Sequence, residues 1–566
     1  MENESVTQTA NKNDLKHLTK EITIQDISVH SNDSHADLYT NIERVDLDDI
    51  EGSKLKNTGF GSRPSCFKNA FQEYVCVLVL AFAPSASTMA AAAYQVSLTS
   101  ISDHFDVYGG ELTWSVSSVM LANGSCLLLM GGLADAFGRR NTLLFGYISY
   151  SLSALIGGFM KNFVVVCIFR ALQGMFVAAS IPSAVGFLGA TYENGRRKNL
   201  VMSIFAAGGP IGGSFGFILG AVFSQIFNWR AVHFYLAIFF GILALLAFLL
   251  MPVDKEIEWR NAFEIAKKLD YFGSFISLAG FTLICFSLTD VDSAELKWHT
   301  SYIIALLIVG IALIAGFVLY ELYVPEAPLM PMQLWKSKNF CLSVIIGSFV
   351  YMEFFGVLNF FAALYFEQIR HYSPIITGCC FIVQPISGII FNITAGLTMH
   401  IIPGTVLVII GSCGATTAAI IWATNSIDRN YFLGPFWGFM LAISGIALVY
   451  NVANRIALSS VDISLQSRAA GTFNTCMQIA STIGLSISAT IVSTKNPYYG
   501  TKEQTQHLVE LFESFKYAYY FAIGCGCTSL ICSCFVRVGV VGNEDTDDSS
   551  GDGSQDAPKT GVEKAD

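Results

Sequence analysis

Gly131-Gly132-Leu133-Ala134-Asp135-Ala136-Phe137-Gly138-Arg139-Arg140-Asn141-Thr142-Leu143 lies between one long apolar run that ends near 133 and another that opens near 141. Each run holds about the 20 apolar residues a helix needs to cross hydrocarbon. The stretch therefore reads as the short polar loop of a helical hairpin that crosses a membrane twice. Arg139 and Arg140 place the loop in the cytosol, because short cytosolic loops carry the excess of Lys and Arg. Gly131 and Gly138 permit close packing and a sharp turn. Asp135 is placed to meet a helix N-terminus or an arginine, a contact able to latch one conformation.

The same alternation runs outward in both directions. Of 566 residues, 53% are hydrophobic and 13% charged, against roughly a quarter charged in a soluble chain, so the excess must face lipid. Further apolar windows predict spans near 71–96, 112–133, 141–160, 163–189, 199–225, 231–252, 270–290 and 301–323. Others fall near 340–366, 376–400, 403–423, 432–454, 469–493 and 516–538, giving about fourteen spans in all. They are expected to be helices, since a backbone in hydrocarbon must satisfy its own polar groups. The fold class is an all-α polytopic membrane protein.

Alternate loops are rich in cations: Arg139 and Arg140; Arg196, Arg197 and Lys198; Lys255, Arg260, Lys267 and Lys268; Lys336 and Lys338; Arg455 and Arg468. Both termini are therefore expected in the cytosol. Residues 1–66 and 541–566 are polar, supply much of the net charge of −10 and read as disordered tails. The opening segment lacks the apolar stretch of a cleavable signal peptide. Gly132-Leu133, Gly138 and Leu143 are weakly echoed by Gly396-Leu397 and Gly404, which suggests an internal repeat. The expected organisation is a six-helix half at 67–252, a cytosolic linker with an inserted helix pair at 253–335, and a second six-helix half at 336–540.

Composition also excludes function classes. There is no basic nucleic-acid surface and no Gly-Lys pair of a phosphate-cradling loop. Most of the 14 cysteines fall in apolar runs and read as packed thiols. Cys525, Cys527, Cys532 and Cys534 are denser but have no histidine beside them, so neither a metal nor a cofactor is expected. No histidine is expected deep in a span. Nothing in the chain reads as an enzyme's catalytic group.

Two charges stand inside apolar runs. Arg170 costs at least about 2.5 kcal/mol to place in a bilayer, and such a charge is rarely idle. It reads either as a coupling group or as a cation that locks helices by bonding carbonyls. Glu353, among Tyr351, Phe354 and Phe355, reads either as a proton carrier or as a carboxyl bonded to a neighbouring helix. At about 1.5 Å per residue, both lie roughly 10 Å below the outer face of a core about 30 Å thick, so a pairing across a shared cavity is expected. Glu73, Asp290, Glu321 and Glu367 lie near span ends and are expected in solvent. Gly208, Gly212, Gly216 and Gly220 form a stripe on one helix, with Gly209, Gly213 and Pro210 beside it, a pattern for close packing and bending.

The 131–143 string resembles the signature of the second loop of the major facilitator superfamily, although Ala136 departs from the basic residue often found there. Arg170-Ala171-Leu172-Gln173-Gly174 is similar to a second signature of that family. Gly208–Gly220 resembles its antiporter signature, with Ser214 where a glycine is usual. Phe67-Lys68-Asn69-Ala70-Phe71-Gln72-Glu73-Tyr74, Glu193-Asn194-Gly195-Arg196-Arg197-Lys198-Asn199 and the inserted pair resemble the fungal aminotriazole-resistance branch of the fourteen-span drug:proton antiporters. The aspartate many such antiporters carry in their first span is missing from Ser85–Tyr94.

The resemblance implies a secondary transporter of two six-helix halves, with Gly131, Asp135, Gly138, Arg139 and Arg140 as a conformational latch and Arg170 in proton coupling. Its expected partners are a small-molecule substrate, protons and the lipid bilayer, without nucleic acid, and a monomer is expected. Export of toxic solutes or drugs across the plasma membrane is the first expectation, with the vacuolar membrane as an alternative location. Uptake of a small nutrient such as ammonium, or nutrient sensing, are the alternative functions.

Overall fold

The computed structural model describes residues 63–539 apart from 194–195, 254–258, 292–293, 295–296, 325–327, 400 and 463–464. Nearly all of the two expected tails lies outside the described residues. Every span read from the sequence is a helix. In chain order they are α1 (Ala70–Gln95), α2 (Gly109–Phe137), α3 (Arg139–Phe159), α4 (Phe163–Thr191), α5 (Arg196–Ile226), α6 (Trp229–Leu250) and α7 (Tyr271–Asp290). Then come α8 (Ser301–Tyr323), α9 (Lys338–Ile369), α10 (Pro374–Thr398), α11 (Gly404–Ala423), α12 (Pro435–Ser459), α13 (Gln466–Lys495) and α14 (Leu508–Ser533).

Side-chain caps set several starts, as at Asn69, Asn162 and Asn228, whose amide oxygens accept from the first free backbone N–H groups. Gly138 joins α2 to α3 with φ 88°, a left-handed conformation that favours glycine. Among the described residues, the first thirteen of these helices are long and apolar enough to cross a bilayer. Helix α14 begins at Leu508 rather than near 516, and Glu510, Glu513 and Lys516 in its first turns dilute its apolar character. It packs along α11, where Ser412 Oγ meets Ser529 Oγ at 2.9 Å and Ser533 Oγ at 3.0 Å.

The packing repeats. Helix α1 lies on α5, α2 on α4, and α3 on both α4 and α6. Eight helices later the pairs recur: α9 lies on α13, α10 on α12, and α11 on both α12 and α14. The halves meet by exchange, α2 against α13 and α5 against α10, an arrangement with the pseudo-twofold logic of repeat-built transporters. Helices α7 and α8 pack on each other, and α7 also lies against α2 and α13. The inserted pair is therefore an addition to two six-helix halves.

Glycine decides the tightest contact. Gly208, Gly212, Gly216 and Gly220 of α5 face Ala81, Ser85, Met89 and Ala93 of α1, so two i, i+4 rows lie face to face. A Cβ on Gly220 would stand 2.5 Å from the Ala93 Cα, and one on any of the other three would collide with α1. A Cβ on Gly209 or Gly213 would meet nothing within 4 Å, although the Gly209 carbonyl accepts from Thr88 Oγ1 of α1 at 2.9 Å, so the glycines whose missing Cβ permits the close approach form one stripe of four. In the second half, Gly484 of α13 abuts Met352, and Gly356 of α9 abuts Ser481 and Leu485.

Candidate functional site

At the α2–α3 loop, Arg139 donates to the Gly186 carbonyl of α4 at 2.6 Å and stands 3.7 Å from Asp135. A Cβ on Gly186 would crowd the same guanidinium. Arg140 donates to the carbonyls of Phe248 (2.7 Å) and Met251 (3.0 Å), satisfying acceptors at the end of α6. The two arginines therefore tie three helices of the first half together at one end of the bundle. Asp135 is 70% exposed, so its ion pair contributes little stability. Gly131 makes only ordinary contact with Pro182.

Near the same end, Glu73 corrects an expectation of solvent exposure. It is 2% exposed, accepts from the Tyr192 hydroxyl at 2.9 Å, and is held by Arg197 through Nε at 2.9 Å and Nη2 at 2.5 Å. Glu321 and Glu367 are likewise buried. Their partners come from segments distant in the chain or from an intervening turn, so position near a span end did not decide exposure. Asp290 is half-buried and accepts from the Tyr302 hydroxyl at 2.6 Å.

Arg170 is fully buried inside the first half. Its Nε donates to the Ser115 carbonyl of α2 at 2.7 Å, and its guanidinium lies over the Tyr94 ring of α1, 3.4 Å from the centroid. The Tyr94 hydroxyl shares a hydrogen bond with His233 Nε2 of α6. The two terminal guanidinium nitrogens have no protein acceptor. His233 is fully buried although it stands only four residues from the start of α6, so a histidine near a span boundary is enclosed by the protein all the same. Sequence reasoning missed both Tyr94 and His233. The small residues Ala90–Ala93 before Tyr94 and the lone imidazole in the apolar run 231–250 were the available signals.

Glu353 is 1% exposed and faces away from this cluster. Its Oε2 is 3.0 Å from where a Cβ on Gly526 of α14 would stand, beside Thr416 of α11. Neither carboxyl oxygen has a protein hydrogen-bond partner. A π-helical segment, Phe354–Leu358, follows directly and displaces the backbone register of α9, a feature frequent at functional sites. Glu353 and Arg170 thus each sit within their own half, and this conformation does not bring them together.

Thr475 of α13 donates to the Gly124 carbonyl midway along α2 at 3.1 Å, and three further polar contacts join the halves at the opposite end from Arg139. The Thr99 N–H donates to Glu367 Oε2 at 2.9 Å, the Ile375 N–H donates to Gln225 Oε1 at 3.0 Å, and Lys502 pairs with Asp106 at 2.7 Å. The Phe217 and Phe381 rings stack there at 4.9 Å.

Comparison with known proteins agrees with this architecture. The profile of the Major Facilitator Superfamily matches residues 80–485. The low affinity ammonium transporter of Saccharomyces cerevisiae is 28% identical over 482 residues, covering 83% of this chain and 90% of that protein. The aminotriazole resistance protein of the same yeast is 23% identical over 479 residues, covering 83% and 84%. In fold, the chain is similar to the crystal structure of the nucleoside transporter NupG, with TM-score 0.52 and 11% identity over 82% of this chain and all of that one. With its profile spanning most of the chain and its helices paired as two repeated halves, this protein belongs to the Major Facilitator Superfamily.

Proposed function

We propose that the protein exports small toxic solutes or drugs, of cationic or amphipathic character, in exchange for protons by alternating access. The observation that carries this reading is the seam of α1 and α5, where the glycine stripe permits backbone contact beside Pro210. Two backbones this close can rock as one rigid unit against the other half, and the prolyl residue gives α5 a place to bend. Similarity to a resistance protein supports the export direction.

In this scheme both termini are cytosolic and residues 67–252 and 336–540 form the moving halves, with 253–335 as an insertion. The contacts of Thr99, Gln225 and Asp106 with the second half then close the outer face, so the conformation described is shut to the outside. Gly138, Arg139 and Arg140 hold the inner ends of α2, α3, α4 and α6 as a latch, while Gly131 and Asp135 give it room and charge. Glu353 takes and releases the proton, and Arg170 supplies the fixed charge of the first half. The protein works as a monomer in the plasma membrane.

A second reading, uptake of a small nutrient, has its own support in the similarity to an ammonium transporter. Growth of deletion and overexpression strains over toxic solutes and poor nitrogen sources separates the two. Resistance on overexpression supports export. Hypersensitivity to a toxic analogue supports uptake and overturns the export reading.

A further inference from the structure

A cavity of about 490 Å³ opens between α2, α4 and the inserted helix α7. Its lining comes from α2, α4 and α7, with no residue from α5, α10 or α13. Its volume falls in the range of roughly 300–1,000 Å³ typical of sites for drug-sized ligands. Leu121, Ile168, Leu172 and Leu278 give it apolar walls.

The two acids stand at one end, and farther along α7 the Thr282 hydroxyl, also in the lining, donates to the Leu278 carbonyl at 2.6 Å. Glu111, in the first turn of α2, and Asp290, the last residue of α7, stand at the mouth beside Trp114 and Phe286, whose ring centroids are 6.4 Å apart. The Trp114 indole N–H donates to Thr289 Oγ1 at 3.1 Å, which fixes the ring at the mouth. One turn deeper, Ser118 lines the wall at 5% exposure, and its hydroxyl has no hydrogen-bond partner. A buried hydroxyl left unpaired costs free energy unless a bound molecule satisfies it.

We propose that this groove is a binding site for a lipophilic organic cation, with the charge held at Glu111 and Asp290 and the apolar body lying along α4 and α7. Two carboxylates beside aromatic faces attract a cation by charge and by ring quadrupole together. An acyl chain of the bilayer would fill the apolar walls but has no use for the acids, and an anion would be repelled by them. The inserted pair gains a role in this arrangement, since α7 supplies one whole wall. The proposal does not rest on the export reading.

The test is equilibrium binding of tetraphenylphosphonium to the purified full-length protein in lipid nanodiscs, with tetraphenylborate as an anion of the same shape. The cation should bind, and the anion at least about tenfold more weakly. Glu111→Gln with Asp290→Asn, both at helix ends, should weaken cation binding by about tenfold or more. Ala171→Phe, which fills the groove, should remove it. Equal binding of the two ions would make the groove an apolar crevice for lipid, and unchanged affinity in the double variant would remove the acids from the site. Full binding in Ala171→Phe would place the site elsewhere. Each of those three results overturns the proposal, and the double variant decides if Ala171→Phe does not fold.

Discussion

Arg170 lays its guanidinium over the ring of Tyr94, 3.4 Å from the ring centroid, and spends its one protein hydrogen bond on the Ser115 carbonyl. The ring face carries negative partial charge, so it stabilises a cation that no carboxylate among the described residues approaches. The planar group does two things at once, which an ammonium cannot. Arg170→Lys should therefore lower transport by about tenfold or more, although the charge is kept. Near-normal turnover in that variant would reduce Arg170 to a generic positive charge. Tyr94→Phe keeps the ring and removes the bond to His233, which should cost about 1 kcal/mol by thermal unfolding in detergent.

Gly212 and Gly213 are neighbours with opposite surroundings. A Cβ on Gly212 would strike Ser85 of α1, while one on Gly213 meets nothing within 4 Å. Gly212→Ala should destabilise the protein by about 1–3 kcal/mol through overpacking, whereas Gly213→Ala should be neutral or stabilising by up to about 1 kcal/mol. Thermal unfolding of the two variants side by side reads the difference, and equal shifts would remove the seam as a tight contact.

The Asp135–Arg139 pair is exposed and long, so Asp135→Asn should leave the unfolding midpoint almost unchanged. Its expected effect is kinetic: slower transport with substrate affinity nearly intact. A large loss of affinity at normal turnover would contradict a latch. Gly138→Ala should behave differently, because φ 88° with ψ 145° imposes strain of about 1–3 kcal/mol on a residue with a Cβ.

Glu353→Gln keeps the shape of the side chain and removes the proton that can leave. Because the carboxyl has no protein partner to lose, expression should hold while dependence on the pH gradient disappears. Uphill transport as strong as the parent's would eliminate Glu353 as the coupling group.

The Lys502–Asp106 pair lies outside the spans, and the Lys502 ammonium holds the Asp106 carboxyl below its ordinary value. A depressed carboxylate contributes above the unfolded pKa of about 3.9 and loses that contribution only as pH falls below it. The pair should therefore add no pH dependence to transport between about pH 5 and 8. Asp106→Asn should leave the shape of the pH profile in that window unchanged, and an altered profile would count against a permanently ionised clamp.

Hydropathy, loop charge and two glycine-bearing strings were enough to read the helices, most of their boundaries to within a few residues, and the family, whereas the charged first turns of α14 hid its start at Leu508. The reason is that lipid imposes its demand on each span separately: a run must be long, apolar and helical whatever its neighbours are. The stripe of Gly208, Gly212, Gly216 and Gly220 was legible for the same reason, since its period belongs to one helix. Which of the seven flagged residues of α5 touch α1 was decided by helix rotation, and that is set only when α1 and α5 pack. Rotation also separates Glu353 from Arg170. Their depths follow from counting residues, but the directions in which they point follow from the fit of α4 against α1 and α2 and of α9 against α11 and α14. Glu73 and Glu367 are buried, and His233 meets Tyr94, because partners more than a hundred residues away in the chain close over them. A local pattern has no access to such partners, so burial and pairing of the charged groups belong to the tertiary structure alone.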